Sequence, residues 1–180
     1  MKKIITICVL LFAIYSCKED VQFDLKKQNQ MVELSDKIFA IKKIDSKKVL
    51  KLIEKNSTEI FEDTAKTDFN PKPLIYSNLA GKTFFKVYER PKGTVYAISF
   101  YKNNTEINTA EYFDNGQVQC LFKIDKKGIK NGKYNCFHRN GKIRKSGEYL
   151  NNKNIGIEIG YDSIGNKSHE FDYSTFKYIK

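Results

Sequence analysis

The residues able to carry out acid–base or nucleophilic chemistry are few in this sequence, and they do not converge. The two histidines, His138 and His169, have no cysteine or histidine beside them at a metal-ligand spacing, and both are expected at the surface. The carboxylates are scattered, and Glu59, Glu62 and Asp63 are expected to form a solvated face. A general acid and a general base must lie close together around one substrate. The sequence therefore predicts a non-enzyme with no metal and no cofactor.

Two cysteines, Cys120 and Cys136, lie in the part of the chain that is expected to fold. They flank the turn from Asp125 to Gly132, so a hairpin centred on Gly128 would place them opposite each other. Antiparallel partners lie within the Cα separation that a disulfide accepts, and an export compartment permits oxidation. Two buried small apolar side chains are the alternative.

The N-terminus has the pattern of a bacterial lipoprotein signal peptide. Two lysines precede an apolar run, Ile4 to Tyr15, which is shorter than the roughly 20 residues that span a bilayer. The sequence Ile14-Tyr15-Ser16-Cys17 resembles a lipobox, in which the cysteine is acylated and becomes the new N-terminus. We expect removal of residues 1–16 and lipidation of Cys17; ordinary cleavage near Ser16 with a free cysteine is the alternative.

The residues that follow Cys17 indicate where in the cell envelope the protein is located. Lys18-Glu19-Asp20 resembles the Lys-acidic-acidic signal that sends lipoproteins to the cell surface in Bacteroidetes, and a solvated start of a linker is the equal alternative. Residues 17–30 are polar and predict a lipidated tether. We expect an outer membrane lipoprotein held to the membrane by its lipid, with cell-surface exposure if the export signal is used.

Residues 31–70 are predicted to form a helical N-terminal segment. Apolar side chains recur there at helical spacing, although residues 38–41 could also form a buried strand; the recurring residues are Met31, Leu34, Ile38 and Ile41. Ser46 is the expected N-cap of a second helix that ends near Asn56. Prolines at 71 and 73 mark the boundary of this segment.

Residues 74–180 alternate aromatic and β-branched segments with turn signals, which predicts an antiparallel β-meander. A glycine recurs about every 24 residues, at Gly116, Gly141 and Gly165, and this period indicates an internal repeat. Asn-Gly pairs favour hairpin turns because both residues accept positive φ. The expected fold class is mainly β, a meander of repeats preceded by one or two short α-helices.

Three segments resemble the MORN-repeat-variant family, whose repeats follow an aromatic, Asn-Gly-Lys, then Gly-x-x pattern: Tyr112-Phe-Asp-Asn-Gly-Gln-Val, Asn131-Gly-Lys-Tyr-Asn-Cys-Phe-His-Arg-Asn-Gly-Lys-Ile and Gly147-Glu-Tyr. The resemblance covers residues 107–173. The last copy has Ile164-Gly165 in place of Asn-Gly and Phe171 in place of Gly147, which suits a terminal capping repeat. The resemblance implies a binding or scaffold module. Because many bacterial members carry an antitoxin label, an immunity or antitoxin-like protein that neutralises a toxin is the alternative.

The formal net charge is +11, and the basic residues concentrate between Lys123 and Lys153. This concentration predicts a basic, aromatic face for an unknown protein or an anionic envelope component, with a solvated face as the equal alternative. Nucleic acid is disfavoured as a partner because the protein is expected to be exported. Reversing Lys127, Lys130, Arg144 and Lys145 to glutamate is expected to leave the fold intact. The predicted binding residues are Lys126, Lys127, Lys130, Lys133, Arg139, Lys142, Arg144 and Lys145.

Overall fold

The computed structural model describes residues 29–40, 45–65, 71–77 and 82–179. The signal peptide, Cys17 and most of the predicted tether lie outside these ranges. Helix α1 covers residues 29–40 and helix α2 covers Ser46–Asn56. None of the described helices is long and apolar enough to cross a membrane.

Helix α1 confirms the predicted helical spacing, because Met31, Leu34 and Ile38 are all buried in one core. Ile41 lies outside the described residues. Residues 29 and 30, assigned to the tether from sequence, already belong to this helix.

Helix α2 buries Val49 and Ile53 and ends at Asn56 as predicted. The predicted N-cap was wrong by one residue. Asp45 caps the helix, since its carboxylate accepts a 2.8 Å hydrogen bond from the Lys47 backbone N–H. Ser46 is the first helical residue, and its backbone N–H donates to the carbonyl of Gly116 at 2.8 Å, which joins the helix to the sheet.

In the described ranges, eleven antiparallel strands form one sheet in strict sequence order, which confirms the predicted mainly β meander preceded by one or two short helices. The strands are β1 (Glu59–Glu62), β2 (Leu74–Ser77), β3 (Thr83–Glu89), β4 (Val95–Lys102), β5 (Thr105–Tyr112), β6 (Val118–Lys123), β7 (Gly132–Phe137), β8 (Ile143–Leu150), β9 (Lys153–Tyr161), β10 (Lys167–Asp172) and β11 (Lys177–Ile179).

Strand β1 corrects the assignment of residues 31–70 to a helical N-terminal segment. It lies inside that segment and pairs with β2, so the sheet begins before the two prolines. The helices also share one core with the sheet: Met31 and Val49 pack in the same cluster as Phe85 and Ile98. The boundary placed near the prolines therefore does not separate two cores.

The predicted turn glycines take the conformation that hairpins require. Gly116, Gly141 and Gly165 have φ of 86°, 80° and 97°, a region that other residues adopt only with strain. In each of these turns an asparagine or aspartate side chain accepts a backbone N–H: Asn115 accepts from Gln117, Asn140 from Lys142 and Asp162 from Ile164.

We call the surface of the sheet that faces α1 and α2 the helix-side face. Cross-strand pairing places one row of residues along it, and the row is apolar from β2 to β6 and mostly polar beyond; its members are Leu74, Val87, Ile98, Ala110, Leu121, Asn135, Ser146, Ile159, Glu170 and Ile179. The core that holds the helices reaches β8 at Ile143 and includes no described residue of β9, β10 or β11. The helices therefore cover only the first part of the sheet.

We call the opposite surface the open face. Pairing places another row along it from β3 to β10, namely Tyr88, Ala97, Glu111, Cys120, Cys136, Lys145, Gly160 and His169. A second, smaller core lies on this face over β6 to β8, built from Cys120, Phe122, Tyr134 and Cys136. Buried side chains thus move to the open face where the cover of the helices ends.

Candidate binding surfaces

The eight predicted binding residues do not form one continuous band. Lys126 and Lys127 lie in the turn between β6 and β7, whereas Arg139 and Lys142 lie in the turn between β7 and β8. Consecutive hairpin turns of a meander lie at opposite ends of the strands, and alternate residues of a strand lie on opposite faces. A basic stretch that is continuous in sequence is therefore divided between two ends and two faces of the sheet.

Four of the eight cations are engaged within the molecule. The Lys130 ammonium lies 3.8 Å from the centroid of the Phe122 ring. Arg139 forms an exposed ion pair with Asp114, and the Lys142 ammonium donates to the carbonyl of Ile164 at 2.6 Å. The Lys145 ammonium lies 2.9 Å from a carboxylate oxygen of Glu158.

The remaining four are Lys126, Lys127, Lys133 and Arg144. All are exposed, and none forms an ion pair with a residue in the described part of the chain. Lys133 lies on the helix-side face, where its neighbour in the register of the adjacent strand is Glu148. Arg144 lies at an irregularity in the pairing of β7 with β8. These four are the predicted cations that a partner could reach without displacing one of the internal contacts described above.

Contrary to expectation, two of the predicted cations do not face solvent. Lys130 is half-buried against Phe122 and Tyr149, and the Lys145 side chain is 28% exposed beside a glutamate side chain that is 10% exposed. A glutamate at position 145 would face another carboxylate. The expectation that reversing Lys145 leaves the fold intact is therefore corrected.

Glu158 is the centre of a polar cluster that sequence reasoning missed. Its carboxylate accepts hydrogen bonds from the Tyr134 hydroxyl, from Lys145 and, at 3.5 Å, from the Tyr173 hydroxyl. Burial alone would raise the pKa of Glu158, but the hydrogen bonds from Lys145 and Tyr134 outweigh it, so the pKa lies below its ordinary value. Burial also raises the pKa of Tyr134, which keeps its hydroxyl a donor.

An aromatic cluster adjoins this carboxylate on the open face. The ring centroids of Tyr134 and Tyr149 are 4.6 Å apart, and Phe122 lies beside both. Gly147 makes room for it, because a Cβ there would lie 2.9 Å from the Tyr134 hydroxyl oxygen and 3.0 Å from its ring. In the sequence, the signal for this cluster was Gly147, the glycine of the repeat pattern. Its cross-strand partner, Tyr134, is identified only by the register of β7 and β8.

Cys120 and Cys136 are cross-strand partners on the open face, with their Cα atoms 4.0 Å apart, and a disulfide joins them. Both are buried, at 6% and 2% exposure, next to Phe122 and Tyr134. The position agrees with the hairpin centred on Gly128.

A second buried carboxylate lies at the other end of the sheet. Asp63, expected on a solvated face, is only 7% exposed, and its carboxylate lies 2.7 Å from the ammonium of Lys86. The hydrogen bond from Lys86 lowers the pKa of Asp63. The expectation failed because the chain turns after β1 and brings this side chain beside β3, which sequence spacing does not reveal. Glu59 and Glu62 are exposed as expected.

The two histidines do not come together with other ligand-type side chains. His138 is half-buried with Nε2 2.9 Å from the carbonyl oxygen of Tyr161, and His169 is exposed with its ring lying over Gly160. Among residues 29–40, 45–65, 71–77 and 82–179, no group of three His, Cys, Asp or Glu side chains could hold a metal ion.

The helix-side face carries a shallow groove of about 290 Å³ beyond the cover of the helices. Strands β7, β8 and β9 line it, with Lys133 and Glu148 beside Ile155 and Ile157. Ile157 is 49% exposed. The groove therefore combines an unpaired cation with accessible apolar side chains.

No protein-family model and no curated protein matches the chain. Solved structures that resemble it at low identity include the following three. The GtfA/B complex has a TM-score of 0.42 and 8% identity over 63% of this chain and 22% of its own. TarM has a TM-score of 0.41 and 17% identity over 87% of this chain and 30% of its own. A mutant of S. aureus TarM in complex with fondaparinux, α-GlcNAc-glycerol and UDP has a TM-score of 0.38 and 15% identity over 84% of this chain and 27% of its own. The chain thus spans less than a third of the length of these proteins.

These neighbours are glycosyltransferases, which runs against the expectation that the chain is not an enzyme. We withdraw that prediction. We also assign no reaction and no catalytic residue, because TM-scores between 0.38 and 0.42 carry no activity from those proteins to this chain.

Proposed function

We propose that this chain is an outer membrane lipoprotein that acts as a binding or scaffold module, with MORN-variant repeats forming its sheet. Cys17 would carry the lipid, and the polar tether behind it would hold the folded part away from the membrane. The partner would be a protein or an anionic envelope component.

One observation carries this proposal: no described residue of the strands after β8 belongs to the core that holds the helices, yet these strands keep apolar side chains accessible. Ile157 in β9 and Tyr178 in β11 are 49% and 69% exposed. Contiguous exposed apolar surface on a folded protein is typical of an interaction site. The C-terminal strands are therefore the part of the sheet best suited to receive a partner.

The unpaired cations favour an anionic partner. Lys133 lines the groove beside Ile155, and Lys126, Lys127 and Arg144 are exposed. Cations on an interface steer association and select partners by charge, and the attraction weakens as salt shortens the screening length to about 8 Å at 0.15 M. The affinity of this module should accordingly fall with rising salt.

The test is capture of envelope components by the immobilised full chain at low and at physiological salt. We expect reversal of Lys126, Lys127, Lys133 and Arg144 to glutamate to reduce capture about tenfold or more. The matched control reverses Lys47, Lys48, Lys51 and Lys92, which are also exposed and change the net charge by the same amount.

The outcomes separate the alternatives. Capture that both variants retain in full would contradict a basic recognition surface, and equal loss in both would show a general charge effect. If the captured component is a toxin that the chain inactivates, the antitoxin interpretation replaces the scaffold. For the anchor, Cys17→Ser should release the chain from membranes, and unchanged partitioning would contradict lipidation.

A further inference from the structure

The two outermost strands of the sheet each have a free edge. In the described part of the chain, β1 pairs only with β2, and β11 pairs only with β10. Such an edge presents unpaired backbone N–H and C=O groups that can template another strand. Proteins ordinarily protect these edges with short strands, charged side chains, prolines, bulges or covering segments, so charges on an edge limit which strands it can accept.

Both edges combine apolar side chains with charges of a single sign. Strand β1 reads Glu59-Ile60-Phe61-Glu62, and Ile60 and Phe61 are 55% and 48% exposed. Strand β11 reads Lys177-Tyr178-Ile179, with Lys180 next in the sequence, and Tyr178 and Ile179 are 69% and 41% exposed. One edge is therefore acidic and apolar, and the other is basic and apolar.

These charges select which edges can meet. Two β1 strands would bring glutamates together, and two β11 strands would bring lysines together, and like charges on adjacent strands are destabilising. A β1 strand beside a β11 strand brings opposite charges together and covers four exposed apolar side chains. The favoured contact is thus between different edges of two copies, which is a head-to-tail arrangement.

The topology allows this contact without inverting the second copy. Because every neighbouring pair is antiparallel and both strands are odd in the order, β1 and β11 run in the same direction. A copy in the same orientation would add its β1 in parallel to β11, with the helices of both copies on the same side. Phe61 would then lie beside Tyr178 on the open face, with Glu62 diagonal to Lys177 on the helix-side face.

We infer that the chain associates with a second copy of itself through β1 of one molecule and β11 of the next, extending the sheet from molecule to molecule. A head-to-tail contact of this kind leaves a free edge at each end and continues until it closes or stops. The two strands are short, so the contact is smaller than the roughly 1,200–2,000 Å² of a stable interface. Association should therefore be weak and dependent on concentration.

The experiment is sedimentation velocity on the purified full chain over concentrations up to about 1 mM. The wild type should give species that grow with concentration. Replacing Glu59 and Glu62 by lysine makes both edges basic, and replacing Lys177 and Lys180 by glutamate makes both edges acidic. Each variant alone should associate about tenfold more weakly or not at all.

An equimolar mixture of the two variants should restore association, because each basic β1 then meets an acidic β11 and each acidic β1 meets a basic β11. Matched controls place the same charge changes on the helices, as Glu33→Lys with Asp36→Lys and Lys47→Glu with Lys48→Glu, and should associate like the wild type. A monomeric wild type at every concentration would overturn the inference. So would edge variants that associate normally, or a mixture that remains monomeric.

Discussion

The covered half of the sheet, β2 to β6, and the bare half, β7 to β11, solve the same packing problem differently, although Phe137 of β7 and Ile143 at the start of β8 still reach the core that holds the helices. In the covered half, α1 and α2 bury an apolar row that includes Val87 and Ile98. In the bare half, Asn135 and Ser146 occupy the equivalent positions, and the buried groups are Tyr134, Cys136 and Glu158 on the open face. A meander can thus continue past its covering layer if aromatic rings, a disulfide and one buried carboxylate take over the burial.

The comparison also separates rigid scaffold from accessible surface. Residues of the covered half have alternating buried positions, as in β3, where Phe85 and Val87 are 0% and 1% exposed. In the bare half the edge aromatic Tyr178 and the apolar Leu150 are more than half exposed. Stability should therefore depend mainly on the covered half, and recognition on the bare half.

The largest expected difference between the halves lies in truncation of a phenylalanine. Phe85→Ala should lower the free energy of unfolding by about 3–5 kcal/mol, because the side chain is fully enclosed by the helices and neighbouring strands. Phe171→Ala, at a half-buried position of β10, should cost about 1 kcal/mol. Urea unfolding of both variants measures the difference. Equal losses would show that the bare half carries as much of the core as the covered half.

The disulfide is the next test, since it lies where the cover of the helices ends. Cys120 and Cys136 are 16 residues apart, and closing a loop of this size stabilises a protein by about 3 kcal/mol. The double variant Cys120→Ala with Cys136→Ala should lose that amount, and a reductant should destabilise the wild type but not the variant. A wild type that is insensitive to reductant would favour the alternative of two buried apolar side chains.

Charge reversals at two adjacent residues of β8 compare a half-buried position, Lys145, with an exposed one, Arg144. Lys145→Glu should lower the free energy of unfolding by about 2–3 kcal/mol, because it removes the partner of the buried Glu158 and adds a like charge. Arg144→Glu makes the same change of charge one residue away, at an exposed position without an ion pair, and should cost about 0.5 kcal/mol or less. Chemical unfolding distinguishes them. Similar losses would contradict the assignment of Lys145 to the Glu158 cluster.

The smallest expected effect concerns acidification of the covered half. The hydrogen bond from Lys86 lowers the pKa of Asp63 below its ordinary value of 3.8, so the charged form contributes stability above that value. This contribution is lost as the pH falls through the lower pKa of the folded state. Asp63→Asn should cost about 1–2 kcal/mol at neutral pH, and the difference from wild type should vanish in strong acid. A difference that is constant with pH would contradict the ion pair.

Much of the fold was predictable because its signals are local. The helical spacing of Met31, Leu34 and Ile38 needs only neighbouring residues to be recognised, and so do the Asn-Gly turns. The errors arose where a distant contact decides the outcome. Asp45 rather than Ser46 caps α2 because the backbone of Ser46 is bound by Gly116. Strand β1 forms inside the segment that was predicted to be helical because β2 lies beside it.

The candidate site was predictable only in part, for the same reason. The concentration of basic residues is a property of the sequence, but their division into engaged and exposed groups depends on which side chains the strands bring near them. Lys145 meets Glu158 and Lys130 meets Phe122 through the register of the sheet. The two residues of each pair are separated by at least one turn, so no local pattern identifies them.

By itself, the sequence determined the period of the turns, the order of the strands and the charge of the chain, because each depends on residue type and spacing along one dimension. Only the tertiary structure decided which face each strand buries. In the described part of the chain the two helices are too small to cover eleven strands, so burial passes to the open face from β6 onward. The partner of Glu158 follows from that change of face, since an enclosed carboxylate keeps its charge only where the fold supplies a donor.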